Sequence, residues 1–289
     1  MTVIEVIQRS TDFLAKKGVD SPRLQVELLL AHRLAIPRLN LYLQFDRVLA
    51  EPELAGLREV LRRRSRREPL QHILGSTGFF GLDFKSDPRA LIPRPETERL
   101  VECALAFLAE RGPTPARALD FGTGGGCIAV SLAAHRPNLV VQAIDCSTAA
   151  LELARENAIH HGVLDRIELR HAHALAALPP DTRFDLIVSN PPYIATAEIE
   201  NLSPEVKDHD PRIALDGGPD GLDFYRQIAR DAPVRLASSG RLFLELGDAQ
   251  AATVSQLLHE HNWIVEAVEN DYSGRPRVLR ARLGDPDQQ

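Results

Sequence analysis

Beyond residue 95 the chain repeats one unit, an apolar strand followed by a tight turn and an amphipathic helix. Strand patterns stand at 116–121 (ARALDF), 139–144 (LVVQAI), 167–171 (IELRH), 184–190 (FDLIVSN) and 241–246 (RLFLEL). Helical patterns follow at 127–135, 147–161, 221–237 and 249–261. Strands joined through helices run parallel, and a parallel sheet is buried only when helices cover both of its faces. Two last strands, 263–269 (WIVEAVE) and 277–283 (RVLRARL), follow each other with no helix between them. That ending predicts a seven-stranded, mostly parallel α/β sheet with one antiparallel strand.

The first seventy residues obey a different rule. Apolar positions recur at helical spacing, and no segment alternates with a period of two. Ser21-Pro22 reads as a helix start, with Leu24, Leu28 and Leu29 near one face. Residues 51–67 read as another helix, with Leu54, Leu57 and Leu61 inward and Arg58, Arg62, Arg63 and Arg66 outward. We therefore expect a helical bundle over 1–70, a hairpin linker over 71–95 rich in Gly, Pro and alternating apolar residues, and a separate α/β domain over 96–289. The run 62–67 (RRRSRR) fits a solvated helix face, a phosphate contact or the docking of an acidic partner.

Charge separates the same regions. Residues 1–85 hold 14 Lys/Arg against 10 Asp/Glu, whereas 86–289 hold 20 against 30, within a net charge of −6. An acidic body argues against a protein whose main partner is nucleic acid. Cys103, Cys127 and Cys146 are too scattered for a disulfide framework, and no Cys/His cluster suggests a metal. The N-terminus lacks the pattern of a secretory signal, and the longest apolar stretch, 28–36, is interrupted by His32 and Arg33. A soluble, cytoplasmic protein without metal or membrane partner is expected.

Asp120-Phe121-Gly122-Thr123-Gly124-Gly125-Gly126 ends the 116–121 strand and opens a helix. Glycines there allow a sharp turn and the close approach of a ligand to backbone. Asp145 ends the next strand, 19 residues after Gly126, where a carboxylate can accept hydrogen bonds from ribose hydroxyls. Together these predict an adenosine-containing cofactor. The Asp-x-Gly-x-Gly-x-Gly spacing resembles the S-adenosylmethionine loop of class I methyltransferases more than the dinucleotide fingerprint. Asp120 fits either of two roles, orienting backbone N–H groups or capping the turn.

The 184–190 strand runs into Asn190-Pro191-Pro192-Tyr193. The prolines stiffen the chain and carry no N–H, which leaves carbonyls free to face a ligand. The Asn190 side-chain oxygen and the Pro191 carbonyl can accept both hydrogens of one planar NH2 group, with Tyr193 as a flat packing face. An amide or exocyclic amine attacks a sulfonium methyl poorly unless its nitrogen is held in line, so a site for positioning is what such chemistry needs.

These motifs, with Ile92-Pro93-Arg94-Pro95-Glu96-Thr97-Glu98, Ser21-Pro22-Arg23-Leu24, 210–215 (DPRIAL), 220–223 (DGLD) and 274–278 (GRPRV), resemble the protein-(glutamine-N5) methyltransferases over nearly the whole chain. The resemblance implies a class I S-adenosylmethionine-dependent methyltransferase fold behind a small N-terminal helical bundle. It implies that Gly122, Thr123, Gly124, Gly125, Gly126 and Asp145 hold S-adenosylmethionine, with Asn190 touching both ligands. Asn190, Pro191, Pro192 and Tyr193 would hold the glutamine of the Gly-Gly-Gln segment of peptide chain release factors. Pro95-Glu96-Thr97-Glu98 favours the branch acting on release factors over the branch acting on a large-subunit ribosomal protein. Where the family commonly has an acidic residue and an aromatic near the adenine, this chain has His171-Ala172-His173, so His173 is the candidate to stack there.

The nearest rival is an exocyclic-amine methyltransferase on DNA or RNA, which faces the same planar NH2 problem. Such an enzyme should surround the approach to Asn190 with bases. Residues 194–223 instead hold Lys207 and Arg212 against Glu198, Glu200, Glu205, Asp208, Asp210, Asp216, Asp220 and Asp223. A cofactor-binding adapter would be free to lose Asn190 or Tyr193, and a nicotinamide enzyme would need another glycine spacing.

Overall fold

The computed structural model describes residues 1–284, so 285–289 of the expected α/β domain lie outside the described residues. Met1–Ser76 with Ser203–His209 form one compact unit, and Thr77–Leu202 with the chain from Asp210 form a second.

In the first unit the helices are α1 (Val3–Ala15), α2 (Pro22–Leu34), α3 (Leu39–Leu43), α4 (Glu51–Ser65) and α5 (Leu70–Leu74). Thr2 and Glu5 close a reciprocal capping box at the start of α1. Val6, Leu14, Val26, Leu29, Leu30 and Leu57 pack the core, whereas Leu24 stands exposed. Ser21 does not cap α2: its φ of 44° lies in the left-handed region, and its hydroxyl reaches no helix N–H.

Four arginines of the run are engaged by this unit's own acceptors, and Arg66 is exposed. Arg62 pairs with Glu59 and Arg63 with Glu68. Arg64, expected on no particular face, is buried and donates to Gln25, to the Glu68 carbonyl and to Glu205. Arg67 donates to both Glu205 oxygens, each at 2.6 Å. Glu205 arrives on α9 (Pro204–Lys207), in the segment that sequence distance separates most from α4.

The hairpin β1 (Ser76–Phe79) and β2 (Leu82–Lys85), which lies in the second unit from Thr77 onward, is followed by α6 (Pro95–Glu110). Phe79 and Phe84 are buried in the core beside α6, their rings edge to face at 5.9 Å, so the hairpin is part of this unit's packing. Next come β3 (Ala116–Phe121), α7 (Cys127–His135), β4 (Leu139–Asp145), α8 (Thr148–His160), β5 (Ile167–His171) and β6 (Phe184–Ser189). The chain ends with α10 (Asp223–Asp231), β7 (Leu236–Glu245), α11 (Ala251–Glu260), β8 (Trp263–Asn270) and β9 (Pro276–Leu283).

The sheet order is β5-β4-β3-β6-β7-β9-β8, all parallel except β9, which pairs antiparallel with both neighbours. Alternation along the strands feeds two cores. Ala118, Leu186, Val188 and Phe243 face α6 and α7, while Leu119, Ile187, Leu242 and Leu244 face α10 and α11. Trp263 is buried in the second core and donates its indole N–H to the Ala229 carbonyl.

This order places the site. From β3 the chain winds outward to β4 and β5, then returns to lay β6 on the other side of β3. In open α/β sheets ligands bind beyond the carboxyl ends of strands at such a reversal. The glycine loop follows β3, Asp145 ends β4, and Asn190 follows β6.

Candidate active site

Three strand ends converge because backbone and short side chains lock them together. Gly122 and Thr123 donate their N–H groups to the Ile144 carbonyl, and Ser189 donates its hydroxyl to the Phe121 carbonyl at 2.6 Å. Asp120 is fully buried; one oxygen accepts from the Thr123 hydroxyl at 2.6 Å and from the Ala129 N–H at 3.1 Å. It thereby ties the loop to the first turn of α7. Burial pushes its carboxyl up to about 7 against those two hydrogen bonds.

A cleft lies beside these ends, lined by Gly122, Gly124, Asp145, His173, Asn190, Pro191 and Pro192. Leu91, Phe121, Ala172, Ile213, Ala214 and Phe224 supply apolar walls. The loop glycines divide into two kinds. Gly122 (φ 75°) has open space where a Cβ would stand, and a Cβ on Gly124 would meet nothing nearer than Ala90 at 4.0 Å. Gly126, by contrast, lies against α8, where a Cβ would come within 3.0 Å of the Ala154 methyl, and Gly125 faces Leu153. Gly122 and Gly124 are therefore free for a ligand, whereas Gly125 and Gly126 allow the helices to pack. Thr123 is buried and turned to Asp120.

Asp145 accepts from the Gly124 N–H and the Ser147 N–H, each at 2.8 Å, one on each oxygen. A carboxylate has about four acceptor positions, so beyond these two N–H groups and the adjoining Cys146 thiol there is room for a hydroxyl. His171 fixes His173 from behind: its Nε2–H donates to the Cys146 carbonyl at 2.9 Å, and its ring meets the His173 ring edge to face at 5.2 Å.

Asn190 donates its side-chain N–H to Thr97 Oγ1 at 3.1 Å, and Thr97 donates its hydroxyl to Glu245 Oε2 at 2.7 Å. No hydrogen bond from the described residues reaches Asn190 Oδ1 or the Pro191 carbonyl. Those are the two acceptors that an NH2 group requires.

Tyr193 stands apart from Asn190, Pro191 and Pro192, since it does not line this cleft. Its ring packs toward Gly247, where a Cβ would come within 2.8 Å of it, and its carbonyl accepts from Gln250 at 3.0 Å. Burial, with Glu245 nearby, pushes its phenol up to about 12. Behind the loop, Ile194 pairs with Leu215 and Gly217, and Gly221 (φ 75°) lies so close that its Cβ would stand 2.3 Å from the Tyr193 carbonyl. Gly221→Ala should therefore lower stability by about 1–3 kcal/mol, a thermal shift of several degrees, and displace the loop. A melting curve and a methylation assay on the same sample check both effects.

Comparison with known proteins identifies the arrangement. The family model described as the PrmC N-terminal domain matches residues 5–75, and that of the methyltransferase small domain matches 99–205. The release factor glutamine methyltransferase of Geobacter sulfurreducens is 46% identical over 98% of this chain and 97% of its own. The chain belongs to the release factor glutamine methyltransferases. That of Chlorobaculum tepidum is 45% identical, covering 96% of each chain. A methyltransferase from Pyrococcus furiosus, 20% identical, shares the fold with a TM-score of 0.54 over 78% of this chain and 99% of that one.

Around this cleft, sequence reasoning passed over Glu245 and Phe224 and gave Ile213 and Ala214, within the 210–215 stretch, no role. Glu245 had a signal: it is a carboxylate that directly follows the apolar run 242–244 (LFL) at the end of β7, where burial demands a partner. Of the acidic and hydroxyl residues that open α6, Thr97 and Glu98 take separate roles. Thr97 turns to Asn190, and Glu98 accepts the Phe80 N–H at 2.8 Å. Among the described residues no cluster could hold a metal, and no helix is long and apolar enough to cross a membrane.

Proposed function

We propose that this chain transfers a methyl group from S-adenosylmethionine to the side-chain amide nitrogen of the glutamine in the Gly-Gly-Gln segment of peptide chain release factors. The single observation that carries this is Asn190: its amide N–H is held by Thr97, which leaves Oδ1 beside the glycine loop as an open acceptor. S-adenosylmethionine fits the cleft, given open backbone at Gly122 and Gly124, an unused acceptor position on Asp145, and apolar walls at Leu91 and Ala172 beside His173. When bound it supplies the electrophilic methyl.

The chain's own residues do the rest. Asn190 Oδ1 and the Pro191 carbonyl accept the two hydrogens of the glutamine amide and so fix its plane. Fixing the plane presents the nitrogen in line, and positioning of this kind supplies up to about 7–11 kcal/mol in favourable systems. As the N–C bond forms the methyl–sulfur bond breaks, and one of the nitrogen's own two protons then leaves to water, which requires no strong base beforehand. Tyr193 supports the loop from behind rather than stacking on the amide.

We propose 1–70 as the docking domain and 96–289 as the catalytic domain, working in the cytoplasm where release factors act. Exposed Leu39, Leu43, Phe45 and Val48 on the first unit support docking by a protein rather than by nucleic acid. Purified protein with labelled cofactor should place label on that glutamine of a full-length release factor; label elsewhere, or none with cofactor bound, defeats the reading. A Leu43→Ser/Phe45→Ser variant should raise KM for the full-length factor about tenfold, an effect typical of losing exposed anchors. KM for a short Gly-Gly-Gln peptide should stay unchanged.

A further inference from the structure

We propose that Thr97 and Glu245 are positioning residues that decide which end of the Asn190 amide faces the acceptor. The inference rests on the proposed function, because it names what orients that site. An asparagine amide is nearly symmetric in shape, and its two ends have opposite hydrogen-bonding character. Only the oxygen can receive an N–H from a glutamine amide; the NH2 end would confront it donor to donor.

The direction of the relay removes the ambiguity. Glu245, 1% exposed, ends β7 beneath the loop, and an ionised carboxylate only accepts. Thr97, 2% exposed, has one hydroxyl hydrogen and gives it to Glu245 at 2.7 Å. Its remaining lone pairs can only accept, and they receive the Asn190 N–H at 3.1 Å. The amide is thereby fixed with oxygen toward the cleft, by a charge that never touches substrate. Thr97 lies in α6 and Glu245 in β7, so two elements flanking the sheet end set the register of a third.

The groups facing Glu245 are Arg94 and Glu96 at the start of α6, Cys127 opening α7, Tyr193, Tyr225 on α10 and Arg277 on β9, besides Thr97. Burial raises the Glu245 carboxyl to about 7, opposed by the Thr97 hydrogen bond and by Arg277 and Arg94. Protonated Glu245 can donate to Thr97, which frees the threonine hydrogen to point at Asn190 and destroys the preference. Turnover should therefore fall as pH drops through about 7.

The test measures kcat and KM on a release factor, and cofactor affinity by titration, for wild type, Thr97→Val, Thr97→Ser and Glu245→Gln. Thr97→Val should lower kcat about 10–100-fold, the usual range for losing an orienting partner, with cofactor affinity and KM within about twofold. Thr97→Ser should recover to within about threefold of wild type, since it keeps the hydroxyl. Glu245→Gln, which can both donate and accept, should lower kcat similarly and erase the acid limb of the pH profile. In an Asn190→Ala background, Thr97→Val should add less than about twofold, because the group it orients is gone.

Wild-type kcat in Thr97→Val, failure of Thr97→Ser to rescue, or an acid limb retained in Glu245→Gln each overturns the proposal. If Glu245→Gln does not fold, the Thr97 pair decides; if Thr97→Val does not fold, the Glu245→Gln profile decides. Failure of the wild type to label the factor defeats the proposed function instead, so the two are told apart in the first measurement.

Discussion

Asn190→Ala is expected to lower kcat/KM by about 10²–10³-fold while the protein still folds, the range observed when one preorganised polar contact to a reacting group is removed. Asn190 follows β6 and is only half-buried, so alanine deletes one hydrogen bond to Thr97 and opens no core cavity. A lost hydrogen bond of that kind costs about 0.5–1.5 kcal/mol, a few degrees of Tm. The loss in rate should appear in kcat more than in KM, because the acceptor works by holding nitrogen in line as the bond forms. Asn190→Asp is a sharper probe. It keeps an oxygen toward the substrate and loses the donor to Thr97, whose hydroxyl hydrogen already goes to Glu245. Two acceptors then face each other and push the side chain from its place, so Asp should rank between Asn and Ala. Steady-state kinetics on a release factor, with melting curves on the same samples, check the order.

Reading such a site from sequence works where one residue's chemistry is local. The glycine loop and Asn190-Pro191-Pro192 were legible because their backbone demands are written in consecutive residues. The one antiparallel strand followed from the missing helix before β9. Roles set by distant partners were not legible. Nothing in Asn190-Pro191-Pro192-Tyr193 says that the tyrosine ring turns to Gly247, since that depends on a glycine 54 positions away leaving space for it. Thr97 and Glu245 likewise acquire meaning only together. Even in the glycine run, which glycines lie open to the cleft and which admit α8 depends on Leu153 and Ala154.

Glu205 shows the same principle in stability, and its removal should give the largest loss there. The arginine run at 62–67 reads as an exposed positive face, yet Arg64 is 3% exposed and shares Glu205 with Arg67. Glu205→Ala leaves Arg64 buried with only Gln25 and the Glu68 carbonyl as partners. Breaking a buried pair from one side costs about 3–5 kcal/mol, because the charge left behind has lost its solvent and its partner. Glu205→Gln keeps the shape and one acceptor, so it should lose less; that ordering separates charge from packing. The pH dependence carries a definite sign. Burial would raise the Glu205 carboxyl from its ordinary value of 4.5, but hydrogen bonds from Arg67 and Arg64 overcome this and hold it down to about 2. A depressed carboxyl contributes stability in full above pH 4.5, and that contribution is lost as pH falls from there through about 2. Denaturant unfolding of wild type between pH 7 and pH 3 should therefore show an acid loss that is smaller in Glu205→Gln. Equal acid sensitivity in the two proteins would place the loss at other carboxyl groups.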